Sequence, residues 1–223
     1  MKKKILAVAA AFLLAPMMAG LAQADGGYMI GKAGVYIPDD SEVDTGFNGE
    51  IGYGFDLLPG PGLLAFEGSV GYFNAEQSED YYYNSGSPNY YGFQDRYEME
   101  AQADVVPLSV SLKAGLESGP FTFYVGGGVD LFFVSMEVKY HNSYRDDYYY
   151  YDRHGYSDDD NDVIFGGHVM AGTTFDINDR MFVGLEAKYL ATDDMDMSFY
   201  GGQDVITGDL NGVTVSGVFG FRF

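Results

Sequence analysis

Three observations predict an all-β fold, an eight-stranded antiparallel up-and-down transmembrane barrel. The first is the alternation along the last eleven residues. Val213, Val215, Gly217, Phe219, Phe221 and Phe223 share one parity, while Thr214, Ser216, Gly220 and Arg222 share the other, with Val218 the apolar exception. Successive strand side chains point to opposite faces, so one face is apolar and aromatic and the other is small or polar. The second observation is that eight segments carry this alternation, joined by connections that are alternately short and long. The third is that the chain beyond its first residues lacks the run of about 20 apolar residues a membrane helix needs, so insertion must use strands.

Taken in order, the first strand spans about Tyr28 to Ile37, with Met29, Ala33, Val35 and Ile37 outward and Lys32 inward. In the second, Phe47, Ile51, Tyr53, Phe55 and Leu57 oppose Asn48, Glu50, Gly52, Gly54 and Asp56. Pro59-Gly-Pro-Gly62 then turns the chain tightly. The third strand sets Leu64, Phe66, Val70 and Tyr72 against Glu67 and Ser69. The fourth sets Val106, Leu108, Val110, Leu112 and Leu116 against Ser109, Ser111 and Lys113. After the turn Glu117-Ser-Gly-Pro120, the fifth opposes Phe121, Phe123, Val125, Val129 and Leu131 to Thr122, Tyr124 and Asp130. The sixth places Val163, Phe165, Val169, Ala171 and Phe175 out, with His168 and Thr174 in. Asp176 to Arg180 forms the third short turn. The seventh sets Val183, Leu185, Ala187 and Tyr189 against Glu186 and Lys188, and the closing strand is the eighth.

The long connections are read as loops over roughly Pro38–Thr45, Gln77–Met99, Lys139–Asp162 and Ala191–Leu210. Short periplasmic turns opposite long external loops are the asymmetry of outer-membrane barrels. A lipocalin-like or sandwich fold would bury the apolar face in a core. The large aromatics on one face, with Gly, Ser and charges on the other, favour the membrane barrel.

The amino-terminal segment reads as a leader. Lys2, Lys3 and Lys4 precede an apolar run from Ile5 to Leu14, and Ala22-Gln23-Ala24 supplies a small-x-small cleavage site. Residues 1–24 are therefore read as a cleaved secretory signal peptide and 25–223 as one barrel domain. An uncleaved anchor fits less well, because the apolar run is short and Pro16 interrupts it. The chain has no cysteine, which excludes disulfides and a lipidated leader cysteine. Lys and Arg number 12 against 33 Asp and Glu, a formal net charge of −21, which becomes −24 once the three leader lysines are removed. Such a chain does not bind nucleic acid through its phosphates, and it is suited to collecting cations. The 17% of aromatic residues argues against the disorder that acidic composition often brings.

Four segments and the aromatic ending resemble the small eight-stranded outer-membrane barrels of the OmpA/OmpX/OmpW-like porin family. They are Val106-Pro-Leu-Ser-Val-Ser-Leu-Lys-Ala-Gly115, Phe123-Tyr-Val-Gly-Gly-Gly-Val-Asp130, Gly166-Gly-His-Val-Met-Ala-Gly172 and Phe182-Val-Gly-Leu-Glu-Ala-Lys-Tyr189, with the ending at Phe223. The resemblance covers about Gly27 to Phe223 and implies a place in the outer membrane of a Gram-negative cell envelope. It also implies contact with lipid and lipopolysaccharide, and a carboxyl-terminal signal at Phe219, Phe221 and Phe223 read by the barrel-assembly machinery. Family members range from structural anchors and adhesion factors to narrow channels, so it names an architecture more sharply than a task. No peptidoglycan-binding domain follows the barrel, so a wall tether is not expected.

Three constellations bear on function. The inward charges Lys32, Glu50, Glu67, Lys113, Asp130, Glu186 and Lys188 are expected to line the lumen, with Asp56, Asp176 and Arg222 beside them. An eight-stranded interior is only wide enough for side chains to fill it. These charges then either pair into a rigid polar plug or line a narrow cation path past Glu50, Glu67 and Glu186. His168 is the only histidine within a predicted strand and reads as a hydrogen-bonded filler. Ser109 and Ser111 share its inward face, but a lipid A-modifying enzyme needs a base, a nucleophile and a groove in mutual reach, so no catalytic residue is expected.

The third constellation is compositional. Tyr81-Tyr-Tyr83, Tyr90-Tyr91, Tyr97 and the run from Tyr144 to Tyr156 crowd tyrosine beside acids, and Asp158-Asp-Asp-Asn-Asp162 follows. Tyrosine gives large contact area at low entropic cost, so Tyr148, Tyr149, Tyr150 and Tyr151 form a candidate patch for an extracellular ligand. The alternative is that these segments continue the strands above the membrane, with tyrosines as cross-strand partners and acids as a solvated rim. The aspartate run lacks the spaced ligands and glycine of a calcium loop, so neither metal nor cofactor is expected. The expected function is a structural or surface-interaction role with possible narrow passage of small solutes. A porin or OmpW-like channel for small or apolar solutes is the alternative, ahead of a lipid A-modifying enzyme.

Overall fold

The computed structural model describes residues 26–40, 43–57, 62–84, 94–145, 150–199 and 204–223. Eight strands close into one antiparallel barrel: β1 (Gly27–Pro38), β2 (Gly46–Asp56), β3 (Gly62–Asn84), β4 (Gln94–Ser118), β5 (Phe121–Arg145), β6 (Tyr150–Asp176), β7 (Met181–Thr192) and β10 (Gly212–Arg222). Each barrel strand pairs with its sequence neighbour in the barrel, and β10 closes onto β1 with Met29 opposite Phe221. Closure removes the unpaired edges that lipid cannot hydrate. The remaining strands, β8 (Met195–Phe199) and β9 (Asp204–Gly208), form a separate two-stranded sheet.

The short turns are held by local chemistry. Gly119 sits at φ +61° ahead of Pro120, a left-handed geometry that favours glycine. The Asn178 side chain accepts hydrogen bonds from the amides of Arg180 and Met181, at 2.9 Å each. The four strands β3 to β6 are 23 to 27 residues long, about twice the length that crosses a bilayer.

That length corrects the reading of two connections as loops. β3 and β4 stay paired out to Asn84 and Gln94, and β5 and β6 out to Arg145 and Tyr150. Register places Tyr81 opposite Tyr97 and Tyr144 opposite Tyr151, as cross-strand pairs. The hairpins persist because their inward positions carry a core. Val105, Val134 and Val138 are nearly fully buried, together with Ala75, Ala103 and Met136. Met195 at the start of β8 and Leu210 join the same cluster, so the small sheet belongs to this external layer.

Along β5 the two faces exchange character without changing parity. The inward residues run Thr122, Tyr124 and Asp130, then Phe132, Val134, Met136 and Val138, all buried. The outward residues run Phe121, Phe123, Val125, Val129 and Leu131, then Ser135, Glu137 and Lys139. β3 and β4 do the same, with Asn74, Glu76, Gln102 and Asp104 facing out beside buried Phe73, Ala75, Ala103 and Val105. On the membrane side of this switch the outer wall is apolar: Val129, Phe165, Val169 and Leu185 each expose more than 60% of their surface. Aromatics collect near the short turns, where Phe55 packs on Phe66, Phe121 on Phe175, and Phe223 on Tyr53 and Phe221. Such a girdle marks the bilayer interface.

Candidate functional site: the barrel interior

The interior is filled by two polar layers under an apolar one. The first layer draws three lysines and three glutamates from five strands. Lys32 of β1 reaches Glu50 of β2 at 2.7 Å, Glu67 of β3 at 3.1 Å and Glu186 of β7 at 2.8 Å. Lys113 of β4 bridges Glu67 at 2.7 Å and Glu186 at 3.1 Å, and Lys188 of β7 holds Glu50 at 2.6 Å. Tyrosine hydroxyls complete the set: Tyr28 donates to Glu67 at 3.1 Å and Tyr124 to Glu186 at 2.8 Å. Every oxygen of the three carboxylates has a cationic partner, and the layer is formally neutral. Charges withdrawn from water need this saturation, because an unpaired buried ion costs several kcal/mol.

The register explains how the rings fit so narrow a lumen. Tyr28 lies opposite Gly54, Tyr124 opposite Gly172 and Phe182 opposite Gly220. A Cβ at any of the three would meet the ring at 2.5 Å or closer. Each inward ring thus occupies the space its facing glycine leaves open.

The second polar layer spans β4, β5 and β6. Ser111 Oγ lies 2.9 Å from His168 Nε2, and His168 Nδ1 lies 2.7 Å from Asp130 Oδ2. Ser109 donates to the other oxygen of Asp130. On the opposite wall Asn48 donates to Ser216 at 2.9 Å, tying β2 to β10. The order serine, histidine, aspartate is that of a nucleophile, its base and the group that orients the base. Here the His168 and Asp130 side chains are fully buried, and Ser111 is 3% exposed. None of the three lines any of the cavities described below. What the arrangement does is satisfy three buried polar groups and cross-link three strands.

Above these layers Tyr36, Phe73, Val105, Phe132, Val134, Ile164 and Leu190 form a buried apolar cap. From the periplasmic side a vestibule of about 290 Å³ reaches up to Glu67 and Lys113. From outside a cavity of about 470 Å³ reaches down to Tyr36, Ala103 and Met136. The polar layers and the cap lie between the two.

The seven charged positions proposed from sequence thus fall into two groups. Lys32, Glu50, Glu67, Lys113, Glu186 and Lys188 share the ion-pair layer, and Asp130 belongs to the histidine layer. Arg222 pairs with Asp176 at 2.8 Å at the periplasmic mouth, where both are half-buried, and Asp56 is exposed at the end of β2. Phe219, Phe221 and Phe223 stand on the outer face. Tyr148 and Tyr149 lie outside the described residues, and Tyr150 and Tyr151 are described by backbone alone, at the start of β6. Among the described residues no group of three or more His, Asp or Glu side chains is placed to hold a metal ion. The sequence reading missed the meeting of Ser111 with His168 and Asp130, and the roles of Tyr28, Tyr124, Asn48 and Ser216. Inward parity and a facing glycine are the signals those residues carry.

The chain matches the outer membrane protein beta-barrel domain model over residues 5–223. It belongs to that family. Its place is the outer membrane, in keeping with the apolar outer wall and the closure of the eight-stranded barrel. No curated protein matches it in sequence. Among solved structures, Neisserial surface protein A is 14% identical, with 89% of this chain and 98% of that one covered, at a TM-score of 0.49. The attachment invasion locus protein Ail of Yersinia pestis is 15% identical, covering 90% and 100%, at 0.36. The outer membrane protease OmpT of Escherichia coli is 8% identical, covering 88% and 96%, at 0.35. These likenesses concern the barrel and carry no activity across.

Proposed function

We propose that the protein is a closed outer-membrane anchor that presents a rigid external β-platform for a surface interaction, and that it is not a diffusion pore. The observation that carries this reading is the saturated interior. Three lysines and three glutamates neutralise one another, and an apolar cap lies over them. An ion crossing this layer has to displace buried salt bridges and then pass an apolar layer, and each step is costly. The cation path along Glu50, Glu67 and Glu186 is thereby disfavoured, because those carboxylates already hold lysines. The Ser111–His168–Asp130 relay is read as a structural cross-link for the same reason: it is enclosed.

The platform is the part with room for a partner. The hairpins of β3–β4 and β5–β6 stand above the switch in facial character and carry the tyrosine- and aspartate-rich segments. Lipid and lipopolysaccharide contact the outer wall, and the Phe219, Phe221 and Phe223 ladder serves the assembly machinery. Residues 1–24 are removed as the secretory leader. Planar-bilayer recording tests the closed state: inserted, heat-modifiable protein is expected to give no conductance steps, and stable steps overturn the reading. Removing residues 144–151 is expected to abolish attachment of labelled host or matrix components to cells while leaving the heat-modifiable barrel intact. Unchanged attachment removes the platform from the proposal.

A further inference from the structure

The external cavity has a chemistry of its own. Its floor is apolar, built from Tyr36, Met136, Met195 and Leu210, all buried. Its rim carries three acids, Asp39, Asp40 and Asp209, and Glu76 also lines it, with its carboxylate turned to the outer face beside Asn74. Among the described lining residues there is no lysine, arginine or histidine. Two rim acids have hydrogen bonds that leave their charge uncompensated: Asp39 accepts from the Tyr189 hydroxyl at 2.8 Å, and Asp209 from the Asn211 amide at 3.0 Å.

The cavity is held open by a connected frame. The Asp39 amide donates to the Asn211 carbonyl at 2.9 Å, Leu210 N donates to Thr192 Oγ1 at 2.9 Å, and Tyr36 donates its hydroxyl to the Leu210 carbonyl at 3.1 Å. Asp44 bridges to Glu76 on the other side through a 2.8 Å backbone bond. At about 470 Å³ it falls within the roughly 300–1,000 Å³ of small-molecule sites, which pair an apolar wall with a few placed polar groups. Methionine side chains on the floor adapt to irregular apolar shapes.

From this geometry we infer that the external cavity binds a small organic amine, a cation with an apolar body. The apolar body fills the floor and the ammonium meets the rim. Each half rejects a different competitor: an anion meets the like charges of the rim, and a bare hydrated metal ion gains nothing from the floor. The rest of the chain favours the same choice, since its strongly negative net charge, −21 with the leader and −24 without its three lysines, draws cations toward the surface. The site lies outside the ion-pair layer and is independent of whether the barrel conducts.

The test uses the full-length barrel in zwitterionic nanodiscs and three probes of one size: phenethylamine, neutral 2-phenylethanol and anionic phenylacetate. Calorimetric titration or saturation-transfer NMR is expected to show phenethylamine bound, 2-phenylethanol weaker and phenylacetate absent. Neutralising the rim with Asp39→Asn and Asp209→Asn is expected to weaken the amine by about tenfold or more and to spare the alcohol. Ala101→Phe, at a half-buried wall position, is expected to abolish binding of both. The pair Glu100→Gln and Asp104→Asn removes the same charge from outside the cavity and is expected to leave the amine unchanged. Heat-modifiable mobility verifies that each variant is folded. The inference is overturned by equal binding of amine and anion, or by no amine binding at millimolar concentration. It is equally overturned if the outside pair weakens binding as much as the rim pair, or if Ala101→Phe binds normally.

Discussion

The membrane half and the external half of this barrel share strands, parity and hydrogen-bonded ladders, yet their side-chain chemistry is opposite. In the membrane half the wall is apolar outside and ionic within. In the external half it is polar outside and apolar within. On β5 the exchange happens between Asp130 and Phe132 on the inner face, and between Leu131 and Ser135 on the outer one. The lesson is that the solvent decides which face needs burial, while the backbone keeps one register throughout. Lipid solvates the outer wall of one half, so only polar groups require enclosure there. Water surrounds the other half, so its inner face forms a core of the kind soluble proteins have.

The largest effect expected comes from breaking the ionic interior. Lys32 contacts all three glutamates of the layer, and Lys32→Met leaves three buried carboxylates with two lysines. Removing one partner of a buried ion-pair set costs about 3–5 kcal/mol. Urea unfolding in micelles, followed by the gel shift of the folded barrel, measures it. A variant as stable as the parent refutes the view that the layer rivets the membrane half.

Two phenylalanines of unlike surroundings separate cap from wall. Phe132 is fully buried in the cap, whereas Phe165 is 67% exposed on the outer wall. Phe132→Ala is expected to cost about 3–5 kcal/mol, as large truncations in packed cores do. Phe165→Ala is expected to cost much less, because lipid takes the place of the lost ring. Equal losses in the same unfolding assay dissolve the distinction between cap and wall.

A third pair locates the boundary. Val129 and Ser135 both face outward on β5, on opposite sides of the switch. Val129→Arg is expected to destabilise by about 2–4 kcal/mol, the cost of a cation near the bilayer midplane, and Ser135→Arg by about 0–1 kcal/mol. Similar values at both sites place Ser135 inside the hydrocarbon and move the boundary outward.

The eight crossing segments were legible because a strand with lipid on one side and packed polar groups on the other writes its period into the sequence. Glu50, Glu67 and Glu186 were recognisable as inward by parity alone. The external extensions were not, and β5 shows why. From Phe121 to Leu131 the outward parity is apolar, and at Ser135 that signal stops, which reads as the end of a strand. The period of two continues with its phase inverted, through Val134, Met136 and Val138. The Ser111–His168–Asp130 contact was hidden for a different reason. It depends on Ser111, Gly128 and His168 falling side by side in the register of β4, β5 and β6, which turn geometry and pairing fix and local pattern does not.

The smallest effect expected lies at the boundary itself. Tyr72 stands on the outer face of β3, and its hydroxyl donates to Asp104 of β4 at 2.7 Å. Its ring neighbours Val70 on the lipid side, while Asp104 belongs to the polar external wall, so one side chain joins the two regions. Tyr72→Phe keeps the ring and removes only the hydrogen bond, and an exposed bond of this kind contributes about 0.5–1.5 kcal/mol. Asp104→Ala is expected to cost at least as much, and the double variant Tyr72→Phe with Asp104→Ala less than the sum of the two, since each single change deletes the bond they share. Strictly additive losses show that the two residues act separately, and that the boundary is set by the wall's composition rather than by a link across it.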